Sequence, residues 1–255
     1  MSSTNSTVKG VFFDLYGTLL IYGDMERAWS AWFEALLAAF SQSLPNLARE
    51  DLALACEGFF SSPEPDVCQD GLTAYERRLQ RVASQLGGAL SPKVLGEGAA
   101  ASVEVWEEYI TLDPVAVSVL SILSQQKVPL ALITNFDHPP HIHRLLERLD
   151  LRRFFDVVTV SAEVGLKKPD PKIFGPALEA TGLAPESVIF VGDSDDDVGA
   201  AINCGMQPVL IRRPGSPSEN ARTGNESHAN NDPTEKSTNP GVIVIADLRE
   251  LLDLV

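Results

Sequence analysis

Cysteine, basic charge and long apolar runs are all scarce in this 255-residue chain. Its three cysteines, Cys56, Cys68 and Cys204, have unrelated spacings and supply neither a disulfide framework nor a zinc set. Reduced thiols in a cytoplasmic protein are therefore expected. Lys and Arg number 20 against 35 Asp and Glu, a formal charge of -15. Neutralising phosphates needs clustered cations, so no nucleic-acid partner is expected. The same charge disfavours an anionic membrane surface. No apolar stretch is long enough to cross a bilayer and the first ten residues are polar, so neither a membrane span nor a signal peptide is expected. Without a secretory signal, the glycosylation triplets Asn5-Ser6-Thr7 and Asn225-Glu226-Ser227 read as chance.

What the chain does hold is a change of rhythm. Val8 to Phe13 reads as a strand. From about Asp24 to Tyr109 the apolar residues recur at helical spacing, beginning with Trp29, Trp32, Phe33, Leu36, Leu37 and Phe40. Pro45-Asn46, Ser62-Pro63 and Ser91-Pro92 divide this stretch into about four helices, the last pair being an N-cap followed by a first-turn Pro. After Pro114, helices (Val115 to Gln126, His141 to Leu149, Pro171 to Thr181, Val198 to Cys204) alternate with short apolar strands at Leu130 to Ile133, Val157 to Val160, Val188 to Val191 and Pro208 to Ile211. Such strands belong to a parallel sheet covered on both faces. The expected fold is α/β: a Rossmann-like doubly wound core (1–20 and 111–255) with an inserted all-α unit (21–110). The segment Pro214 to Pro240 is polar and Gly/Pro-rich, and is expected to be a disordered loop. Val242 to Ile245 then returns to the sheet, and Leu248 to Leu254 closes the chain as a helix.

Polar residues that directly follow apolar strands carry the chemistry, because ligands of open parallel sheets bind beyond the strands' carboxyl ends. Asp14, Thr134 and Asp193 each hold such a position, and Lys168 follows its strand through a short loop. Asp193 and Asp197 stand four apart at a helix start and so share a face. Three converging carboxylates repel; two like charges ~4 Å apart cost on the order of 4 kcal/mol at an effective dielectric near 20. A divalent cation relieves that repulsion, and an all-oxygen donor set suits Mg²⁺. Helix capping alone is the competing explanation of Gly192-Asp193-Ser194, and for Asp195 and Asp196 it is the better one, with both facing solvent.

Four segments taken together, Asp14-Leu15-Tyr16-Gly17-Thr18, Ile133-Thr134-Asn135, Lys168-Pro169 through Phe174, and Val191-Gly192-Asp193-Ser194 through Asp197, resemble the motifs of the haloacid dehalogenase-like hydrolase superfamily. The helical insertion resembles the C1 cap of its subfamily I. Thr134-Asn135-Phe136-Asp137 and the non-Asp residue at Tyr16 are similar to the branch containing haloacid dehalogenase-like hydrolase domain-containing protein three. The resemblance implies a phosphatase of small phosphate esters. Asp14 would be the nucleophile that forms an aspartyl-phosphate. Thr134, Asn135 and Lys168 would bind substrate, with Thr134 and Lys168 on the phosphoryl oxygens. Asp14, the carbonyl of Tyr16, Asp193 and, in support, Asp197 would hold Mg²⁺.

Tyr16 departs from the pattern, since phosphatases of the superfamily carry a second Asp there as general acid and base. The 2-haloacid dehalogenases carry Tyr, but work without metal and have neutral residues in the fourth motif, and they carry a Tyr where this chain has Phe174. The acidic fourth motif therefore favours phosphoryl chemistry. Two alternatives stay open: a 2-haloacid dehalogenase, and a catalytically weak phosphate-binding or regulatory protein.

Other signals read as structural. His141 and His143 stand two apart on a helix and do not share a face, which argues against a metal site in the run His138-Pro139-Pro140-His141-Ile142-His143; His138, nearer the crevice, could touch substrate but reads better as solvated loop. Gly96-Glu97-Gly98 fits a loose dinucleotide fingerprint but lacks a preceding strand. Arg77, Arg78 and Arg81 read as a solvated helix face. Trp29, Trp32 and Phe33 read as core, with an edge available to a pocket mouth.

Overall fold

The computed structural model describes residues 8–60, 70–216 and 241–255. The strand Gly10–Phe13 (β1) lies at the centre of the sheet. The pair Leu20–Tyr22 (β2) and Ile110–Leu112 (β3) brackets four helices, Met25–Ser41 (α1), Arg49–Ala55 (α2), Ala74–Gln85 (α3) and Pro92–Glu107 (α4). The chain continues with Ala116–Gln125 (α5), Leu130–Thr134 (β4), Pro139–Arg148 (α6), Val157–Val160 (β5), Ser161–Val164 (α7), Gly175–Thr181 (α8), Val188–Gly192 (β6), Asp195–Cys204 (α9), Gln207–Ile211 (β7) and Ile243–Ile245 (β8). Six strands form one parallel sheet in the order β5-β4-β1-β6-β7-β8, while β2 and β3 pair antiparallel as a separate ribbon.

Period-two alternation along the central strands separates two cores. Phe12, Ala131, Ile133 and Phe190 pack on one face with Ala177 of α8 and Ala200 of α9. Val11, Phe13, Leu132 and Val191 pack on the other with Leu120, Ile142 and Leu248. That second core runs on without a break into Trp32, Leu36, Leu79 and Val103 of the four helices. Capping follows the sequence: Asp24 and Ser91 cap α1 and α4, and Thr73 and Ser194 open α3 and α9 with capping boxes.

The ribbon of β2 and β3 has no counterpart in the sequence reading. Each strand is only three residues long, too short for an alternation to register. The closing segment Leu248–Asp253 is a 3₁₀ helix instead of an α-helix. The Ser62-Pro63 break, and residues 217–240 of the loop expected from Pro214 to Pro240, lie outside the described residues. Among the described residues no helix is long and apolar enough to cross a membrane.

Candidate active site

Asp14, Thr134 and Asp193 reach the carboxyl edge of the sheet at the ends of β1, β4 and β6, whereas Lys168 comes after β5 through the short helix α7 and not through a loop alone. Asp14 follows β1, tied by its amide to Val191 O at 2.9 Å. Thr134 ends β4 and is buried. Asp193 follows β6, and Asp197 lies in the first turn of α9. Asp14, Asp193 and Asp197 are all buried and present oxygens within 4.8 Å of one another. Lys168 enters among them, its Nζ donating to Asp14 Oδ1 at 2.5 Å and to Ile133 O at 3.2 Å, and pairing with Asp197 Oδ1 at 2.7 Å.

The charges do not cancel. One ammonium faces three carboxylates in a region that water scarcely reaches. Burial pushes Asp14 up to about 7; Lys168 opposes this, and the repulsion of Asp197 and Asp193 adds to it. Burial would lower the Lys168 ammonium, but Asp14 and Asp197 outweigh it and raise its value.

Backbone shape admits the cluster. Gly17 adopts φ +86°, and a Cβ there would lie 2.0 Å from Asp193 Oδ2, so only glycine leaves room for that carboxylate. Asp197 Oδ2 accepts from the amides of Asp193 (3.1 Å) and Ser194 (3.0 Å) and from Ser194 Oγ (2.6 Å). With Lys168 on its other oxygen, Asp197 holds the motif loop in place. Among the described residues the Asp14 carboxylate is hydrogen-bonded only by Lys168, through Oδ1, so Oδ2 stays available for chemistry. An oxygen-only set that is net anionic, buried and within 4.8 Å fits a hard dication such as Mg²⁺. When bound, such an ion would be held by Asp14, Asp193 and the Tyr16 carbonyl, and would neutralise charge on a transferring group.

Asn135, expected to bind substrate, uses both ends of its amide on the Lys168 backbone: Nδ2 donates to Lys168 O and Oδ1 accepts from Lys168 N, each at 3.0 Å. It fixes the Lys168–Pro169 segment, whose peptide bond is cis. Tyr16 is buried in an aromatic group, its ring 5.3 Å from that of Phe136 and 5.4 Å from that of Trp106. Burial, then the nearby Glu107 carboxylate, hold its phenol well above the usual range.

Several residues were not legible beforehand. Arg213, just past β7, donates to Gly17 O and Thr18 O, both at 2.7 Å, and pairs with Asp113 at 2.6 Å, clamping the turn after Asp14. Its place after an apolar strand was the available signal. Arg78 is buried instead of solvated, donating to Asp137 Oδ2 at 2.5 Å and to Phe59 O at 2.8 Å. His138 is likewise buried, its Nδ1 3.2 Å from Thr73 Oγ1. His141 and His143 do part company, His141 lying 2.6 Å from Glu107 and exposed His143 2.8 Å from Glu163. Arg148 also pairs with Glu107. Asp137, His138, His141 and Arg148 thus tie the segment after β4 to the four helices. Asp195 and Asp196 are exposed, as expected of first-turn helix residues.

Burial lowers His138 to about 4, with Glu76 opposing. An unfolded His titrates near 6.5, so between those values the unfolded chain binds the extra proton and stability falls as pH drops. Chemical denaturation is expected to register a loss of about 3 kcal/mol between pH 7 and 4 from this group. The His138→Gln protein should lack that share of the pH dependence.

A doubly wound sheet with buried carboxylates and a lysine at its carboxyl edge, roofed by helices, defines an α/β enzyme. The chain belongs to the haloacid dehalogenase-like hydrolase family, whose model matches residues 8–205; a second, HAD-hydrolase-like, model matches residues 165–251. It is a hydrolase. Among curated proteins it is 28% identical over 208 residues to glyceraldehyde 3-phosphate phosphatase of Methanopyrus kandleri, covering 81% of this chain and 84% of that one. It is 39% identical over 106 residues to phosphoglycolate phosphatase of Escherichia coli, covering 42% of each. Among solved structures, 2-haloacid dehalogenase from Pseudomonas syringae superposes with a TM-score of 0.63 at 21% identity over 97% of this chain and 98% of that one, a likeness of fold.

Proposed function

We propose that the chain is a Mg²⁺-dependent phosphatase of small phosphorylated metabolites, working through an aspartyl-phosphate on Asp14. The observation that carries this reading is the buried group of Asp14, Asp193 and Asp197 with Lys168 among them. Asp14 Oδ2 attacks phosphorus, a P–O bond to Asp14 forms, and the ester P–O bond breaks as the alkoxide or phenoxide leaves, taking its proton from water. Water then attacks the same phosphorus, releasing inorganic phosphate and restoring the carboxylate. Lys168 and Thr134 would bind phosphoryl oxygens, and Asn135 holds the Lys168 backbone for that task. The helices of 21–110 would act as a cap that excludes bulk water. Phosphatase names among the relatives support the reaction class. An anionic haloacid would meet three carboxylates, which argues against dehalogenation despite Tyr16. The test is phosphate release from p-nitrophenyl phosphate with Mg²⁺, set against chloride release from 2-chloropropionate with EDTA; the second without the first would overturn the proposal.

Tyr16 has a kinetic consequence. A buried phenol held above its usual range is a poor proton donor at neutral pH. General acid catalysis is typically worth ~10²–10⁴-fold, so alkyl phosphates are expected to turn over slower than aryl phosphates by a factor in that range. Tyr16→Asp should narrow the gap, measured as the ratio of kcat values. Equal rates on both classes in the natural protein would show that another group supplies the proton.

A further inference from the structure

We infer that the leaving group this site accepts is flat and apolar, an aryl or similar ring-bearing moiety instead of a short carboxylated chain; the inference rests on the phosphatase reading. A cavity of about 310 Å³ lies between α1, α3, α4 and the sheet edge. Its floor comes from chain neighbours of the site residues: Tyr16 two residues beyond Asp14, Asn135 after Thr134, Lys167 before Lys168 and Asp196 before Asp197. An ester whose phosphoryl group sits on Asp14 would have this space beside it for its leaving group.

The walls are aromatic. Trp29 lies 5.2 Å from Phe60 and 5.7 Å from Trp106, ring centre to ring centre, and Trp29 and Phe60 are only half-buried although they belong to the packed helices. Their uncovered surface faces the same cavity as Trp32 and Tyr75. Ring stacking and edge contacts favour a planar guest there. The charges in the wall argue against a carboxylate guest. Arg78 is already met by Asp137 at 2.5 Å, while the lining's other cation, Lys167, is exposed to solvent, as is the Asp196 carboxylate. Among the described lining residues a substrate carboxylate would thus meet no buried cation without a partner, and it would meet one more anion at the rim.

Non-hydrolysable phosphonates separate affinity from leaving-group reactivity, since no bond need break. In calorimetry on the whole chain with Mg²⁺, benzylphosphonate is expected to bind at least about tenfold tighter than phosphonoacetate. Phe60→Leu, which conserves apolar bulk, and Trp29→Ala should each reduce the ratio of benzylphosphonate to methylphosphonate affinity about threefold or more. Phosphonoacetate binding as tightly as benzylphosphonate, or variants that weaken all probes alike, would overturn this inference and leave the phosphatase reading standing. Binding of none of the three would overturn both.

Discussion

Asp14→Asn is expected to lower turnover of p-nitrophenyl phosphate by roughly 10³-fold or more, the scale on which loss of a nucleophile is felt. The amide has nearly the shape of the carboxylate but no lone pair of comparable nucleophilicity, so the first bond to phosphorus cannot form. The fold should not suffer. Asp14 is pushed up to about 7 mainly by burial, so its ionised form is disfavoured in the native state. A group raised above its unfolded value of 3.8 contributes less stability as pH rises through that interval, and is unfavourable at neutral pH. Replacing it by a neutral amide should leave the melting temperature equal or higher, which separates lost chemistry from lost structure. Turnover near the natural rate would remove Asp14 from the mechanism.

Gly17→Ala is expected to be nearly as severe, although residue 17 brings no side chain to the reaction. The added Cβ would stand 2.0 Å from Asp193 Oδ2, so that carboxylate must retreat by more than 1 Å. Displacements of that size cost about 10²-fold in a preorganised site. The left-handed backbone at φ +86° adds a stability penalty of roughly 1–2 kcal/mol for a residue with a Cβ. The expected outcome is kcat/KM down about 10²-fold, a higher Mg²⁺ concentration for half-maximal rate, and a modest fall in melting temperature. Natural kinetics in the alanine variant would mean that Asp193 does not need its observed position.

The sheet and the residues gathered at its edge were legible because both are written in short local patterns. Apolar runs such as Leu130 to Ile133 and Val188 to Val191 name the strands, and the polar residue just after each run names its position at the carboxyl edge. Lys168 was legible too, although its contacts with Asp14 and Asp197 span 154 and 29 positions, because it also follows a strand. Arg213 apart, what stayed hidden depends on pairing across long separations without a strand-end signal. Arg78 and His138 look like surface residues from their neighbours. Only the seating of α3 on the segment after β4, with Tyr75 N donating to Asp137 O at 3.0 Å, buries them. The position of Asn135 after β4 was legible, but its two bonds to the Lys168 backbone were not, since they cross 33 positions. The three-residue strands β2 and β3 gain their identity from each other, through pairings such as Leu20 with Leu112 and Tyr22 with Ile110 that lie out of reach of any local pattern.

The account depends on a buried carboxylate cluster built to hold a dication. Calorimetric titration of the protein with Mg²⁺ tests this directly, with Asp193→Asn as the paired variant. One ion per chain, with binding lost or greatly weakened in the variant, is the predicted result. No saturable binding, or binding that Asp193→Asn leaves unchanged, would contradict it.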